Sequence, residues 1–225
     1  MNHTELVLRE ELCHAAQLLY QRGYVVGHDG NLSLRLGEDR ILITPSGVSK
    51  GRLEPDMLVV CDLEGRVLSG ERYPSSETAM HLLVYRERPD AGAVVHAHPP
   101  MATAFAIRRT PLKAPYLTET VSGLGEVPVA PFAMPSTREV PESIRPFVAH
   151  HSAVLLANHG ALAWGRDLWE AFDRMETVEQ TAKIYAWVHL LGGGEALTQE
   201  QTQGLLALSG RYEHLAGRRE SGKEG

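Results

Sequence analysis

The stretch that most constrains the fold is Ala93-Val94-Val95-His96-Ala97-His98, closed by Pro99-Pro100. A short unbroken run of small and β-branched apolar residues reads as a buried strand, and two successive prolines end it. Side chains at i and i+2 leave a strand on the same face, so His96 and His98 can point at one atom. A transition metal needs that from two ligands on one element. Hydrogen-bonded or exposed histidines satisfy the same pattern, so a metal reading requires a third ligand from elsewhere.

The remaining pattern supplies elements to pack around that strand. Residues 4–22 predict a helix, with Thr4 as cap, Leu8, Leu12, Ala15, Ala16 and Leu19 in 3.6-residue phase, and Gly23 as stop. Alternating runs at 32–36, 41–44 and 57–62, separated by Gly- and Pro-containing turns, read as strands. Ser75-Ser76-Glu77 opens a helix that runs to about Arg88 and stops at Pro89. A helix is expected over 101–107, a mostly irregular segment over 111–135, a helix capped by Thr137 to about Ala149, and short strands at 153–156 and 161–164. Asp167 opens the longest helix, whose apolar stripe continues to Leu190 before Gly192-Gly193-Gly194, and Thr198 to about Arg211 forms the last one. No repeat or linker divides the chain. The order predicts a single mixed α/β domain over residues 1–217 with a polar, disordered tail at 218–225, without the regular alternation of a doubly wound parallel sheet.

Charge and composition exclude several function classes. Twenty-two basic against 28 acidic side chains give a net charge of -6, so no long-range positive field exists to gather nucleic acid. The start of the chain is interrupted by Glu5, Arg9, Glu10 and Glu11, and no apolar run long enough for a membrane span occurs, which reads as a cytoplasmic protein. Cys13 and Cys61 lack a CxxC partner, so neither a disulfide framework nor a thiolate zinc site is indicated. Only four lysines (Lys50, Lys113, Lys183, Lys223) stand as candidates for Schiff-base chemistry, whereas 11 histidines point toward metal or proton chemistry.

Three further features carry possible chemistry. His159, in Leu155-Leu156-Ala157-Asn158-His159-Gly160, sits where an apolar run leaves the core, either as a plain turn residue or as the third ligand that His96 and His98 require. Glu77 is either a helix-start acid stabilised by the macrodipole or a metal ligand and general base, and spacing alone does not choose. Gly30-Asn31, Ser46-Gly47 and Ser75-Ser76 each offer amide or hydroxyl donors of the kind that form anion nests, or are ordinary turns and caps. Neither a P-loop nor a GxGxxG occurs. His14, His150, His151 and His189 fall on helices or their ends, outside the site. His81 does too, though its place four residues after Glu77 suits a supporting role.

Taken together and in order, Gly30-Asn31-Leu32-Ser33-Leu34-Arg35, Leu42-Ile43-Thr44-Pro45-Ser46-Gly47, Pro74-Ser75-Ser76-Glu77, Met80-His81, Arg88-Pro89-Asp90 with the strand to His98, and Asn158-His159-Gly160 resemble the class II aldolase/adducin family over residues 30–160. The resemblance implies an αβα domain with a central, largely antiparallel sheet flanked by helices. It implies His96, His98 and His159 as ligands of one zinc ion per chain, and Glu77 as a fourth that leaves the metal to act as general acid/base. Asn31, Ser46, Gly47, Ser75 and Ser76 are implied to bind a substrate phosphate; His28 stands where the family often has Thr or Ser facing that phosphate. Tyr116 matches a tyrosine that a neighbouring subunit supplies to protonate the aldehyde oxygen, and Tyr212 a second that reaches a neighbouring site, in ring-shaped homotetramers with intersubunit active sites. The implied chemistry is reversible cleavage of a ketose 1-phosphate, of the L-fuculose 1-phosphate type, to dihydroxyacetone phosphate and an aldehyde such as L-lactaldehyde. Lewis-acid zinc would replace an iminium lysine. Related epimerases acting on L-ribulose 5-phosphate, typically with Asp in place of Glu77, and dehydratases and decarboxylases of the same fold are the alternatives. A non-catalytic adducin-like module would lack the ligands, and a metal hydrolase built on HxH would place that motif elsewhere in its chain.

Overall fold

The computed structural model describes residues 3–208. The chain order is α1 (His3–Gln21), β1 (Asn31–Arg35), β2 (Arg40–Ile43), β3 (Val59–Asp62), β4 (Val67–Ser69), α2 (Thr78–Glu87), β5 (Ala93–Ala97), α3 (Pro100–Ile107), β6 (Val129–Ala130), α4 (Glu139–Val148), β7 (Ala153–Leu156), β8 (Gly160–Gly165) and α5 (Leu168–Leu190). The strands form one eight-stranded sheet in the order β4-β3-β2-β1-β5-β8-β7-β6. Every neighbouring pair is antiparallel except β6–β7.

The strand that carries His96 is therefore central, and all five of its residues are buried. Its period of two feeds two cores. Ala93, Val95 and Ala97 join α1, α3 and α5 residues such as Leu12, Phe105 and Met175 on one face. Val94 joins Met80 and Leu83 of α2, Ile144 of α4 and Trp164 of β8 on the other. Covering on both faces explains why the run is continuously apolar rather than alternating. The same period sends His96 out on the α2 face, toward Glu77.

Helix α3 starts directly after the second histidine of the HxH pair, and its exposed amides need partners. A fully buried carboxylate from α5 supplies them: Met101 N donates to Glu179 Oε1 and Oε2 at 3.2 and 3.1 Å, and Ala102 N donates to Oε2 at 2.9 Å. The turn that follows His98 is thereby fastened to the longest helix.

The structure departs from the sequence expectations in places. The strand expected from Met57 begins at Val59, because Pro55–Met57 forms a 3-10 turn. Strand β4 was not anticipated; its three residues are all exposed at the sheet edge, so no apolar alternation marks it. The segment expected to be mostly irregular contains a π-helical turn at Thr120–Leu124 and the two-residue β6. Residues 199–208 are helical, as expected, whereas the end near Arg211, Tyr212 and the polar tail lie outside the described residues. Cys61 is buried and Cys13 partly so, both with free thiols. Among the described residues, no helix is long and apolar enough to cross a membrane.

Candidate metal centre

Three imidazoles converge at the end of β5. His96 lies within the strand and is fully buried, His98 just beyond it, and His159 in the turn between β7 and β8. That turn closes because Asn158 adopts φ +58°, a left-handed conformation that Asn tolerates better than most residues. Gly160 is required by close approach: a Cβ there would meet Ala97 O at 2.5 Å and His98 Cδ2 at 2.6 Å. The ring centroids are 4.8 to 5.0 Å apart, and the three candidate ligand nitrogens lie within 4.8 Å of one another. Glu77, immediately before α2, spans two of them, with Oε2 3.2 Å from His96 Nε2 and Oε1 3.2 Å from His159 Nε2.

The donor set fits a metal ion. His96 Nδ1 donates to Ala161 O at 2.9 Å, which leaves its Nε2 with a lone pair. His98 turns Nδ1 toward Asp29 Oδ2 at 3.5 Å and Nε2 toward His96 Nε2 at 3.1 Å. With both Nδ1 atoms protonated, two lone pairs face each other at that distance, which is repulsive unless a cation lies between them. Glu77 Oε1 is buried and has no hydrogen-bond partner, since His159 is near but out of alignment. Three nitrogens and a carboxylate are a zinc-type set.

The charge balance agrees with that reading. Burial, then His96 and His159, push His98 down to about 3, and burial followed by His96 lowers His159, so both rings are neutral as ligands must be. Burial opposes charge on His96 and Glu77 as well, yet each overcomes it through the other: His96 is raised, and Glu77 is held well below the usual carboxylate range, with His159 and Asn31 assisting.

With this geometry in view, comparison with known proteins is decisive at the family level. The family described as Class II Aldolase and Adducin N-terminal domain matches residues 10–186. The chain belongs to that family. The 3-oxo-tetronate 4-phosphate decarboxylase of Haemophilus influenzae is 38% identical over 186 residues, covering 81% of this chain and 88% of its own. The 5-methylthioribulose-1-phosphate/5-deoxyribulose-1-phosphate aldolase of Rhodospirillum rubrum is 37% identical, covering 82% of this chain and 83% of its own. Among solved structures, an L-fuculose 1-phosphate aldolase superposes with a TM-score of 0.83 at 36% identity, covering 88% of this chain and 94% of that one.

Within this class II aldolase fold, the residues expected to bind phosphate separate into two groups. Ser46 N donates to Tyr73 O at 3.0 Å, Ser75 N donates to Thr44 O at 3.2 Å, and Pro45 pairs with Pro74 as an isolated bridge. These bonds strap two turns together around an open recess lined by Ser46, Gly47 and Ser76, with Gly47 at φ +72°. Asn31 and Ser75 make their side-chain hydrogen bonds toward Glu77 and His81. The Asn31 amide donates to Glu77 Oε2 at 2.9 Å and accepts from His81 Nε2 at 2.6 Å, while Ser75 Oγ accepts from Glu77 N at 3.3 Å. Asn31 thus holds the Glu77 carboxylate, and Ser75 its backbone amide.

Sequence reasoning missed three groups. Arg72 lines the recess and brings a positive charge to it, though only its nearness to Pro74-Ser75-Ser76 marked it. Lys50 is buried and donates to His28 O at 2.8 Å and Val48 O at 2.9 Å, tying the turn before β1 to the Ser46-Gly47 turn; burial lowers its ammonium to about 8. The backbone carbonyl of His28 is what this contact uses. Asp29 faces His98. His81, whose spacing from Glu77 suited a supporting role, reaches that carboxylate through Asn31. Tyr116 is half-buried against Tyr185 of α5, ring centroids 5.1 Å apart, and packs on the core shared by α1, α3 and α5.

Proposed function

We propose that this chain is a metal-dependent lyase that breaks a carbon–carbon bond in a phosphorylated sugar derivative and yields dihydroxyacetone phosphate. The observation that carries this reading is the convergence of His96, His98 and His159 with a carboxylate that spans two of them. A divalent cation, zinc by the donor set, would supply Lewis-acid polarisation of the substrate carbonyl and stabilise charge developing on its oxygen. Ser46, Gly47, Ser76 and Arg72 would seat the phosphate in the adjoining recess. Lys50 is committed to two carbonyls and Lys183 lies 3.4 Å from Glu179, which agrees with chemistry that needs no iminium.

The substrate assigned first is 3-oxo-tetronate 4-phosphate, on which the Haemophilus relative is named to act. Decarboxylation asks little of the chain's own residues: the C1–C2 bond breaks, carbon dioxide leaves, and the electron pair stays on C2, next to the carbonyl. Glu77 then delivers a proton to C2. Facing His96 and His159 it is too weakly basic to hold one, so it must leave them, whereupon burial raises its pKa.

Aldol cleavage of a ketose 1-phosphate is the second reading, supported by the Rhodospirillum aldolase and the superposed fuculose 1-phosphate aldolase. It leaves the electron pair on C3 and requires the same proton from Glu77. It also requires proton removal from the C4 hydroxyl, a task for which Tyr116 of a neighbouring copy in a homotetramer is the candidate. Assay of dihydroxyacetone phosphate, carbon dioxide and aldehyde release from 3-oxo-tetronate 4-phosphate and L-fuculose 1-phosphate separates the two. Faster release from the keto acid is expected; faster release from the ketose reverses the order, and release from neither refutes the reading.

A further inference from the structure

The face of α2 toward the sheet carries Glu77, His81 and Tyr85 at successive four-residue intervals, and the facing side of β1 carries Asn31 and Ser33. Four helical residues rise about 6 Å and two strand residues about 6.7 Å, so the two sets stay in step. The result is an unbroken chain of contacts: Tyr85 Oη to Ser33 Oγ at 2.8 Å, Ser33 Oγ to His81 Nδ1 at 2.7 Å, His81 Nε2 to Asn31 Oδ1 at 2.6 Å, and Asn31 Nδ2 to Glu77 Oε2 at 2.9 Å. Ser33 and His81 are fully buried, and Tyr85 and Asn31 are 2% and 4% exposed.

Only one direction of protons suits this chain. An ionised Glu77 accepts and never donates, so the Asn31 NH2 must face it. Asn31 Oδ1 then needs a donor, which is His81 Nε2–H, and a neutral His81 leaves Nδ1 to accept from the Ser33 hydroxyl. Ser33 Oγ in turn accepts from Tyr85. Burial, with His96 acting in the same sense, pushes His81 down to about 3, in keeping with a neutral ring. The opposite direction would set Asn31 Oδ1 against a carboxylate oxygen.

We propose that Tyr85, Ser33 and His81 act as a buried relay that locks the Asn31 amide with its NH2 toward Glu77, making His81 a positioning residue for that carboxylate. The two ends of an asparagine amide are nearly isosteric, so packing alone does not choose between them; the relay does. The consequence for turnover rests on the reading of Glu77 as the proton carrier, whereas the tautomer of His81 does not.

The test uses zinc-loaded protein labelled with 15N-histidine, in wild type and in Ser33→Ala, Tyr85→Phe and His81→Gln. Two-bond 1H–15N spectra should show wild-type His81 as the neutral Nε2–H tautomer and a shift toward Nδ1–H in Ser33→Ala. Turnover in Ser33→Ala should fall about 10- to 100-fold, the usual range for losing a partner that orients a ligand, with KM and zinc content unchanged. His81→Gln, which keeps an N–H for Asn31, should recover most of it. Wild-type His81 found as Nδ1–H or as the cation overturns the proposal, as does a Ser33→Ala protein with native tautomer and native turnover. If no sugar phosphate is turned over, the proposed function fails, while the tautomers still decide the relay. Should Ser33→Ala not fold, Tyr85→Phe makes the same test from the outer end.

Discussion

Replacing Glu179 probes the brace behind the candidate metal centre. Its carboxylate is fully buried and accepts from two amides, Met101 N and Ala102 N, at the start of α3. Glu179→Ala leaves both amides without partners, Ala102 N buried and Met101 N partly so, at about 1–3 kcal/mol each, so a total loss of about 2–6 kcal/mol is expected. Glu179→Gln keeps an acceptor oxygen and loses only the charge, at a cost of about 1–2 kcal/mol. The Lys183 contact adds little, because that ammonium is 45% exposed. Equilibrium urea unfolding of metal-free protein, at one fixed protein concentration so that association does not move the midpoint, reads both values. Because the capped turn directly follows His98, zinc affinity should fall in the Ala variant more than in the Gln variant. Equal losses in the two variants, or losses under about 1 kcal/mol in both, would refute the argument from capping.

Gly30→Ala should prevent the native site from forming, because φ is +70° and a Cβ would lie 2.4 Å from Val25 Cγ1 and 2.8 Å from His96 O; Gly27→Ala, at φ +55° but in open space, should cost only about 1 kcal/mol. Thermal melts compare them, and equal behaviour would contradict the clash. Metal-free protein should lose stability as pH falls from about 6.5, because burial first of all holds His81 and His98 near 3 when folded, so unfolding takes up protons. A folded pKa below the unfolded one leaves that stability intact above the unfolded pKa, and each ring contributes a slope of up to about 1.4 kcal/mol per pH unit. His96, raised by Glu77 against burial, acts only as pH rises above that window. Urea midpoints that stay flat from pH 6.5 to 5 would count against neutral buried rings. Arg72→Ala should raise KM for a phosphorylated substrate while leaving zinc content unchanged; an unaltered KM would remove Arg72 from the phosphate recess.

The candidate metal ligands were legible in the sequence because each occupies a place with its own local signature. Two follow the strand period before a proline pair, one stands in an Asn-His-Gly turn, and Glu77 opens a helix. Their convergence depends on β5 and β8 being neighbours, which no local signal states; the ordered motifs of a family stood in for it. Asn31 illustrates the limit. Its glycine-rich turn resembles an anion nest, and nothing local in the sequence shows the register that sets it opposite His96 or the bond of its amide to Glu77. The spacing of His81 from Glu77 suited a supporting role, but its partners Asn31 and Ser33 show only once the face of α2 that meets β1 is known. Strand β4 is exposed throughout, and β6 is two residues whose partner β7 lies far along the chain, so neither has an apolar rhythm of its own. Tyr116 packs against Tyr185 in the core cluster of α1, α3 and α5, and it was the family resemblance, not any local pattern, that linked it to a neighbouring subunit's site.

The most direct test of the metal centre is a zinc titration of metal-free protein with dihydroxyacetone phosphate release followed throughout, using whichever phosphorylated substrate the panel finds. Release should rise in proportion to bound zinc, level off at about one ion per chain as a single four-ligand site requires, and vanish in His159→Ala. Release that is already complete without metal, or that persists in His159→Ala protein devoid of zinc, would contradict the account.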